Sequence, residues 1–439
     1  MRWICTGEDD ALESWREMEV RDAAGEAAAT LKLDGASHQT IRGFGGCFNE
    51  AGWAALERAD AAAREGLLDE LFGTSADDGC GFTLCRVPIG ASDYAMRWYS
   101  HNEHDGDLAM EHFSIENDQR YLLPYLRAAQ QRQPGLELFA SPWSPPTWMK
   151  THRAYNHGRL KPDAETLAGY ALYFRRFVEA YRDAGFNVSQ VHVQNEPGSD
   201  QKFPSCVMPA AQMRGFIRDH LGPEFERAGL DCEIWAGTFE KGAIHGWDFD
   251  ETLMYAHQVH DVLRDAGARR HIAGVGFQWD GKAHVAQVHR AYPGLPILQT
   301  ENECGDGRNT WPYAFYVFDL MCHYLNHGAV GYTYWNMVLP RGGESTWGWR
   351  QNSMACVEAD GRVTRNPEFW VMKHLSHAVR PGAVRLGLSG DWCNFALAFR
   401  NPDGGEVVLV ANPYPEALKV DVWGHTLELS RRSFSTVWR

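Results

Sequence analysis

Segments of strand character near residues 41–48, 80–90, 136–142, 188–196, 232–238, 272–279, 295–301 and 329–336 recur along most of this chain. Between them lie the helix-compatible stretches Ala59–Phe72, Glu116–Gln131, Ala164–Ala184, Ala210–Gly229, Glu251–Ala266, Ala283–Tyr292 and Trp311–Asn326. The stretch from Ala164 has clear punctuation, with Pro162-Asp163 ahead of it and Gly185 behind it. Parallel neighbours need a crossover that returns the chain to the same end of the sheet, and a helix is the usual crossover. Strand followed by helix, eight times over, predicts an α/β fold closed into a (β/α)8 TIM barrel, with an open doubly wound sheet as the alternative.

The rhythm changes after about residue 380 to short alternating strands: Ala383–Leu388, Asn394–Arg400, Glu406–Ala411, Leu418–Val422, Thr426–Leu429 and Ser433–Val437. Asn401-Pro402-Asp403-Gly404-Gly405 is a hairpin signal between two of them. Residues 1–38 hold one weak strand, Ala29–Leu33, and are too short to fold alone. The expected organisation is an N-terminal segment 1–38 that lends strands to a β-domain, a catalytic barrel over 39–378, and a small all-β sandwich over 379–439.

In a barrel of this kind the chemistry sits where the strands end. Val191-His192-Val193-Gln194-Asn195-Glu196-Pro197 reads as a strand delivering Glu196 at its exit, and Pro197 is expected to hold Glu196 in an extended conformation. Pro296-Ile297-Leu298-Gln299-Thr300-Glu301 has the same design and runs into the flexible Cys304-Gly305-Asp306-Gly307. The other predicted ends carry Asn49-Glu50, Arg86 with Asp93, Trp143, Phe239-Glu240, Gln278-Trp279 and Trp335-Asn336. Two glutamates at the exits of buried strands are what a retaining glycosidase needs: two carboxyls about 5–5.5 Å apart, one protonated and one ionised.

Charge and cysteine usage narrow the partners. A formal net charge of -15 argues against nucleic acid and against an anionic membrane surface, so an uncharged small carbohydrate is the easier fit. The N-terminus turns acidic before an apolar h-region can form, and no run is long enough for a membrane span. Ten scattered cysteines without a CxxC suit a reducing cytoplasm. Many of the 17 Trp are core filler, yet several fall at strand ends, where a flat face suits the C–H side of a pyranose.

Five motifs in order, Gly43-Phe44-Gly45-Gly46, Arg86-Val87-Pro88, Ser141-Pro142-Trp143-Ser144-Pro145-Pro146-Thr147-Trp148-Met149-Lys150, Gln194-Asn195-Glu196-Pro197 and Tyr334-Trp335-Asn336, resemble glycoside hydrolase family 30. This is the glucosylceramidase-like family of clan A. The resemblance implies Glu196 as acid/base, Glu301 as nucleophile and Asn195 on the sugar 2-hydroxyl. It also implies Arg86 beside the nucleophile, Asp93 and Trp143 on the nonreducing-end sugar, and Trp335 as a wall of that subsite. A β-domain built from both chain ends belongs to the same likeness. The chain departs from it on the sixth strand, where Phe277-Gln278-Trp279-Asp280 replaces a His-Trp or Tyr-containing segment; Gln278 and Trp279 are expected to contact substrate there. Glu303, two residues past Glu301, is a fallback nucleophile if the strand continues.

Trp148, Trp279, Trp347 and Trp349 are further candidates for the aglycone side, with the loop 342–349 bordering the site. Other features read as bland. His101-Asn102-Glu103-His104-Asp105 lacks the HExxH register and is expected to be a solvated loop rather than a metal site. Gly43-Phe44-Gly45-Gly46 lacks a phosphate-cradle pattern; its glycines are expected to let the first strand pass close to its neighbours. Cys85 and Cys304 have no evident His partner. The expected activity is cofactor-independent hydrolysis of short β-glycosides from one end, by double displacement. Endo-acting β-1,6-glucanase or galactanase, β-xylosidase and β-fucosidase activities stay open, as do two rival classes, a catalytically silent carbohydrate-binding barrel and a metal-dependent barrel hydrolase.

Overall fold

The structure, a computed structural model, describes residues 1–8, 15–20, 27–74, 78–242 and 255–439, with the backbone alone for 255–257. Parallel strands Gly43–Cys47, Leu84–Ile89, Glu137–Pro142, Val188–His192, Glu233–Phe239, Ile272–Gln278, Ile297–Glu301 and Ala329–Asn336 form a closed barrel. The doubly wound alternative fails at one seam: Ala329–Asn336 pairs with Gly43–Cys47, Gly331 opposite Gly43 and Thr333 opposite Gly45, so no edge is left. Glycine is required at that seam, because a Cβ on Gly331 would lie 2.6 Å from the Gly43 carbonyl oxygen. Leu84, Phe139, Trp235 and Leu298 fill the inside of the barrel near the strand starts. His192 stacks on Trp235 from above at 5.3 Å, and the charged groups gather beyond it toward the carboxyl ends.

Helices pack outside as the sequence pattern predicts. Ala164–Asp183 is capped by Asp163, whose Oδ1 accepts from the Thr166 N–H at 2.9 Å, and it buries Tyr170, Tyr173, Phe174, Phe177 and Tyr181 along one side. Trp311–Asn326 matches the predicted range. The run from Ala210 to Ala228 is helical throughout, with a π-turn at Ile217–Leu221, and stops at Gly229 with φ 59°. The stretch predicted from Glu251 is seen as Tyr255–Leu263; its first residues lie outside the described ones.

Among the described residues, the helices Glu50–Leu56 and Pro367–Ala378 were not predicted, nor was the single turn Ala266–Arg269. Pro367–Ala378 is buried on nearly every side, including Lys373, His374, Ser376 and His377, because it lies between the barrel and the β-sheet. A helix covered all round shows no amphipathic stripe to read.

The nine-stranded sheet runs in the order His425–Leu429, Leu418–Val422, Ala29–Thr40, Val384–Ser389, Ala396–Arg400, Glu406–Asn412, Ser433–Trp438, Arg2–Gly7, Arg16–Met18. Both chain ends build it, and the N-terminal residues supply three strands rather than the single weak one. Period-two alternation assigns its faces. Leu397, Phe399, Val407 and Leu409 join the core shared with the barrel helices, whereas Ala396, Ala398, Val408 and Val410 pack into a separate core. Phe434 is the hinge of the shared side, its ring 4.5 Å from Phe315 and 5.6 Å from Phe318.

Candidate active site

Arg86 organises the carboxyl end of the barrel. It sits mid-strand in Leu84–Ile89 with its side chain inside the barrel and 0% exposed. Nη1 donates to Glu301 Oε2 at 2.6 Å, Nη2 to Asn195 Oδ1 at 2.6 Å, and Nη2 and Nε to Ser141 Oγ at 2.7 and 3.1 Å. The fork geometry of a guanidinium allows all these bonds at once. Its face rests on Trp143, 4.5 Å from the ring centre, and Trp143 stacks on Trp335 at 5.2 Å.

Glu301 is the last residue of its strand and stands opposite Gln278 in the neighbouring one. Its Oε1 accepts from Trp279 Nε1 at 3.2 Å. Gln278 Nε2 donates to Glu196 Oε1 at 3.1 Å and to Asn195 Oδ1 at 3.3 Å. Residues from the second, third, fourth, sixth and seventh strands therefore meet in one hydrogen-bonded cluster.

Two expectations about the fourth strand need correction. The strand stops at His192, and the chain then climbs by separate bonds, Asn195 N–H to the Pro142 carbonyl at 2.9 Å and Glu196 N–H to the Thr238 carbonyl at 3.2 Å. Glu196 is not extended: its φ is 46°. A proline after it disfavours the right-handed helical region but does not forbid a left-handed one, and the surrounding bonds hold a backbone that costs about 1–3 kcal/mol. Such strain aims a side chain where a regular strand end would not.

Glu196 and Glu301 line one cavity with Asp93, Trp143, Trp279 and Glu240. Arg86, Asn195, Gln278 and Trp335 lie beneath its surface, buried, and do not form its wall. The expectation that Gln278 and Trp335 touch substrate directly therefore has no support in this geometry. Trp148 packs into the core and donates to the Asn102 carbonyl at 3.0 Å, away from the cavity. Trp349 does line it, while Trp347 stands behind, donating to the Asp93 carbonyl at 3.0 Å. Glu303 fails as an alternative: the strand ends at Glu301, and Glu303 turns to Lys282 Nζ at 2.6 Å and Tyr316 OH at 2.7 Å. Cys304 lines the cavity and Cys85 is in the core; burial pushes both thiols up.

Sequence reasoning left Ser199, Gln351 and Glu240 without roles. Glu240, at the exit of the fifth strand, accepts from Ser199 Oγ at 2.7 Å. Gln351 donates to Asp93 Oδ2 at 3.4 Å from a loop far beyond the eighth strand, where no local pattern marks it. Glu240 was visible as a polar strand end, which was its one signal. The His101–Asp105 segment is only half solvated, with His101 and Asn102 buried. Among the described residues no group of three or more His, Cys, Asp or Glu is placed to hold a metal ion, and no helix is long and apolar enough to cross a membrane.

The electrostatics separate the two glutamates. Burial pushes Glu196 well above the usual carboxylate range, and the charges of Glu301, Glu240 and Asp93 add to it. Burial raises Glu301 as well, but Arg86 and Trp279 oppose that rise. Arg86 is bonded to Glu301, whereas the charges that act most on Glu196 are those of other carboxylates, so Glu196 holds a proton more readily. Asp93 is pushed up to about 8, first by burial and then by Glu301. The cavity thus offers one carboxyl inclined to donate a proton and one held ready as an anion.

The family model for the glycosyl hydrolase family 30 TIM-barrel domain matches residues 41–379. The chain belongs to glycosyl hydrolase family 30. It is 30% identical to putative glucosylceramidase 2 of Caenorhabditis elegans over 406 residues, 87% of this chain and 76% of that protein. An endo-1,6-beta-D-glucanase of Neurospora crassa is 26% identical over 415 residues, 88% of this chain and 81% of the other. Among solved structures, an endo-beta1,6-glucanase superposes with a TM-score of 0.86 at 24% identity, covering 99% of this chain and 98% of that one, which shows the shared fold. As a family 30 member the protein is a retaining O-glycosyl hydrolase acting on β-linked glycosides.

Proposed function

We propose that the protein hydrolyses β-linked gluco-oligosaccharides or glucans, those with β-1,6 linkages foremost, with Glu196 as acid/base and Glu301 as nucleophile. The observation that carries this reading is the wall of the cavity. Ser199, Gln201, Glu240 and Lys241 line it together with Asp93, Trp143 and Trp349. A polar, hydrogen-bonding wall suits a sugar leaving group better than an acyl chain, which would leave those groups unpaired. The Neurospora relative's named activity supports the linkage.

In the first step Glu301 attacks the anomeric carbon while Glu196 protonates the departing oxygen. Once Glu301 is esterified its charge is gone, Glu196 becomes more acidic, and it takes a proton from the incoming water. Asp93, neutral near pH 7, can donate to a sugar hydroxyl and accept from another.

Release of one sugar at a time is a second reading, favoured by the loop behind Asp93. Tyr94 OH donates to the Gly343 carbonyl at 2.6 Å and Trp347 to the Asp93 carbonyl, which closes the cavity at that side. Digestion of a β-1,6-glucan separates the readings: a ladder of oligosaccharides marks internal cleavage, glucose alone marks release from the end, and cleavage of glucosylceramide but neither saccharide overturns both. A 2-deoxy-2-fluoro-β-glucoside should label Glu301, read by peptide mass spectrometry. Glu196→Gln should lose turnover of poor leaving groups and recover it with azide on aryl glucosides; a label on another residue, or no rescue, overturns the assignment.

A further inference from the structure

Gln278 is 0% exposed and forms no part of the cavity wall, so a sugar in the cavity has no route to it, yet its amide reaches Glu196. Which end of that amide faces Glu196 is decided elsewhere. Asn195 Oδ1 accepts from Arg86 Nη2 at 2.6 Å, which identifies it as an oxygen, because a guanidinium only donates. The same Gln278 amide atom that faces Glu196 also lies 3.3 Å from that oxygen, so this atom must be the nitrogen. Gln278 Oε1 then faces Arg86 Nη1 at 3.5 Å and the Thr300 hydroxyl at 3.2 Å, both able to donate. The reverse amide orientation would set N–H against guanidinium and oxygen against oxygen.

We infer that Gln278 is a positioning residue for the acid/base: its fixed N–H occupies Glu196 Oε1, so the catalytic proton is carried on Oε2. A carboxyl oxygen that accepts a hydrogen bond from a donor without a lone pair is a poor place for a proton. The proton given to the leaving oxygen, and the proton taken from water in the second step, therefore pass through Oε2. The same bond stabilises the ionised carboxylate against the charges of Glu301, Glu240 and Asp93, which all favour the protonated form. Lys241 lines the same cavity and its charge opposes that of Glu240, and Arg86 Nη1 lies 3.5 Å from Gln278 Oε1. Gln278 thus keeps Glu196 able to switch from acid to base between the two steps.

The inference rests on Glu196 being the acid/base, and azide rescue of Glu196→Gln tests that separately. The test of Gln278 itself is the pH profile of kcat/KM for Gln278→Met, which keeps the length and loses the N–H. The alkaline limb should move about 1 pH unit upward, because removing a bond to the ionised form raises the pKa. On aryl glucosides with good leaving groups kcat should fall roughly 10- to 100-fold, since deglycosylation needs the base, and KM should fall with it as the glycosyl-enzyme accumulates. Gln278→His, which restores a ring N–H, should return the limb toward that of the wild type. Should Gln278→Met not fold, Thr300→Val removes a hydroxyl that faces Oε1, and the same limb should move upward by a smaller step. An alkaline limb that stays in place while KM rises would show a substrate contact, and a fall in activity with the limb in place would show a merely structural role; either overturns the inference.

Discussion

Arg86 Nη1 lies 2.6 Å from Glu301 Oε2 with both side chains nearly shut off from water, at 0% and 6% exposure. A buried pair of this kind is costly to break, because the remaining partner is left as an uncompensated charge; removing one side typically costs about 3–5 kcal/mol. Arg86→Lys keeps the charge but cannot serve Glu301, Asn195 and Ser141 together. We expect kcat/KM to fall at least ~100-fold. As the proposed nucleophile Glu301 must be ionised, and losing the guanidinium raises its pKa. The acid limb of the profile should therefore move to higher pH, measured on an aryl β-glucoside.

Glu240 acts on Glu196, the proposed acid/base, with the same sign of charge. In Glu240→Gln that repulsion is gone and the Glu196 proton is held less tightly. Activity is lost as pH rises through the Glu196 pKa, so the alkaline limb should move to lower pH, opposite to Gln278→Met. Comparing the two profiles under one set of buffers checks both signs.

Glu368 is buried at 0% exposure and burial pushes it up to about 8 from an ordinary 4.5. One oxygen accepts from Asn352 Nδ2 at 2.7 Å; the other has no protein partner. A carboxyl raised on folding holds its proton in the folded state after the unfolded chain has released it. Stability is then unaffected below about pH 4.5, falls as pH rises toward 8, and levels off above that. The cost at pH 7 is on the order of 3 kcal/mol. Glu368→Gln should flatten this decline and raise Tm at pH 7 to 8, followed by thermal unfolding across that range.

Phe434 is 1% exposed and fills the contact between the nine-stranded sheet and the helix Trp311–Asn326. Phe434→Ala should cost about 3–5 kcal/mol, the usual range for a large core ring. Urea unfolding would measure it. Activity per folded molecule should be retained, since the ring is remote from the cavity.

Much of this architecture was legible in sequence order because its cause is local. Alternation of apolar residues marks a strand that buries one or both faces, and the helix Trp311–Asn326 could be delimited from its pattern alone. Leu418–Val422 matched in the same way. The misses share the opposite property. Pro367–Ala378 is enclosed by barrel and sheet, so its residue types follow surroundings supplied by distant segments. Gln351 and Glu240 act through neighbours remote in sequence, and Glu303 stood as a fallback to Glu301 until the strand was seen to stop.

Residue order alone determined the eightfold strand and helix repeat, the small β-sheet region made with the C-terminal segment, and which glutamates stand at strand exits. These follow from backbone hydrogen bonding and hydrophobic period, which act over a few residues. Tertiary structure decided what each group meets there: that Glu301 rather than Glu303 meets Arg86, that Glu196 is turned by a left-handed backbone, and that Gln278 is bonded to Glu196. Proton affinity and reach depend on burial and on charges brought near by closure of the barrel, and no local stretch of chain carries that information.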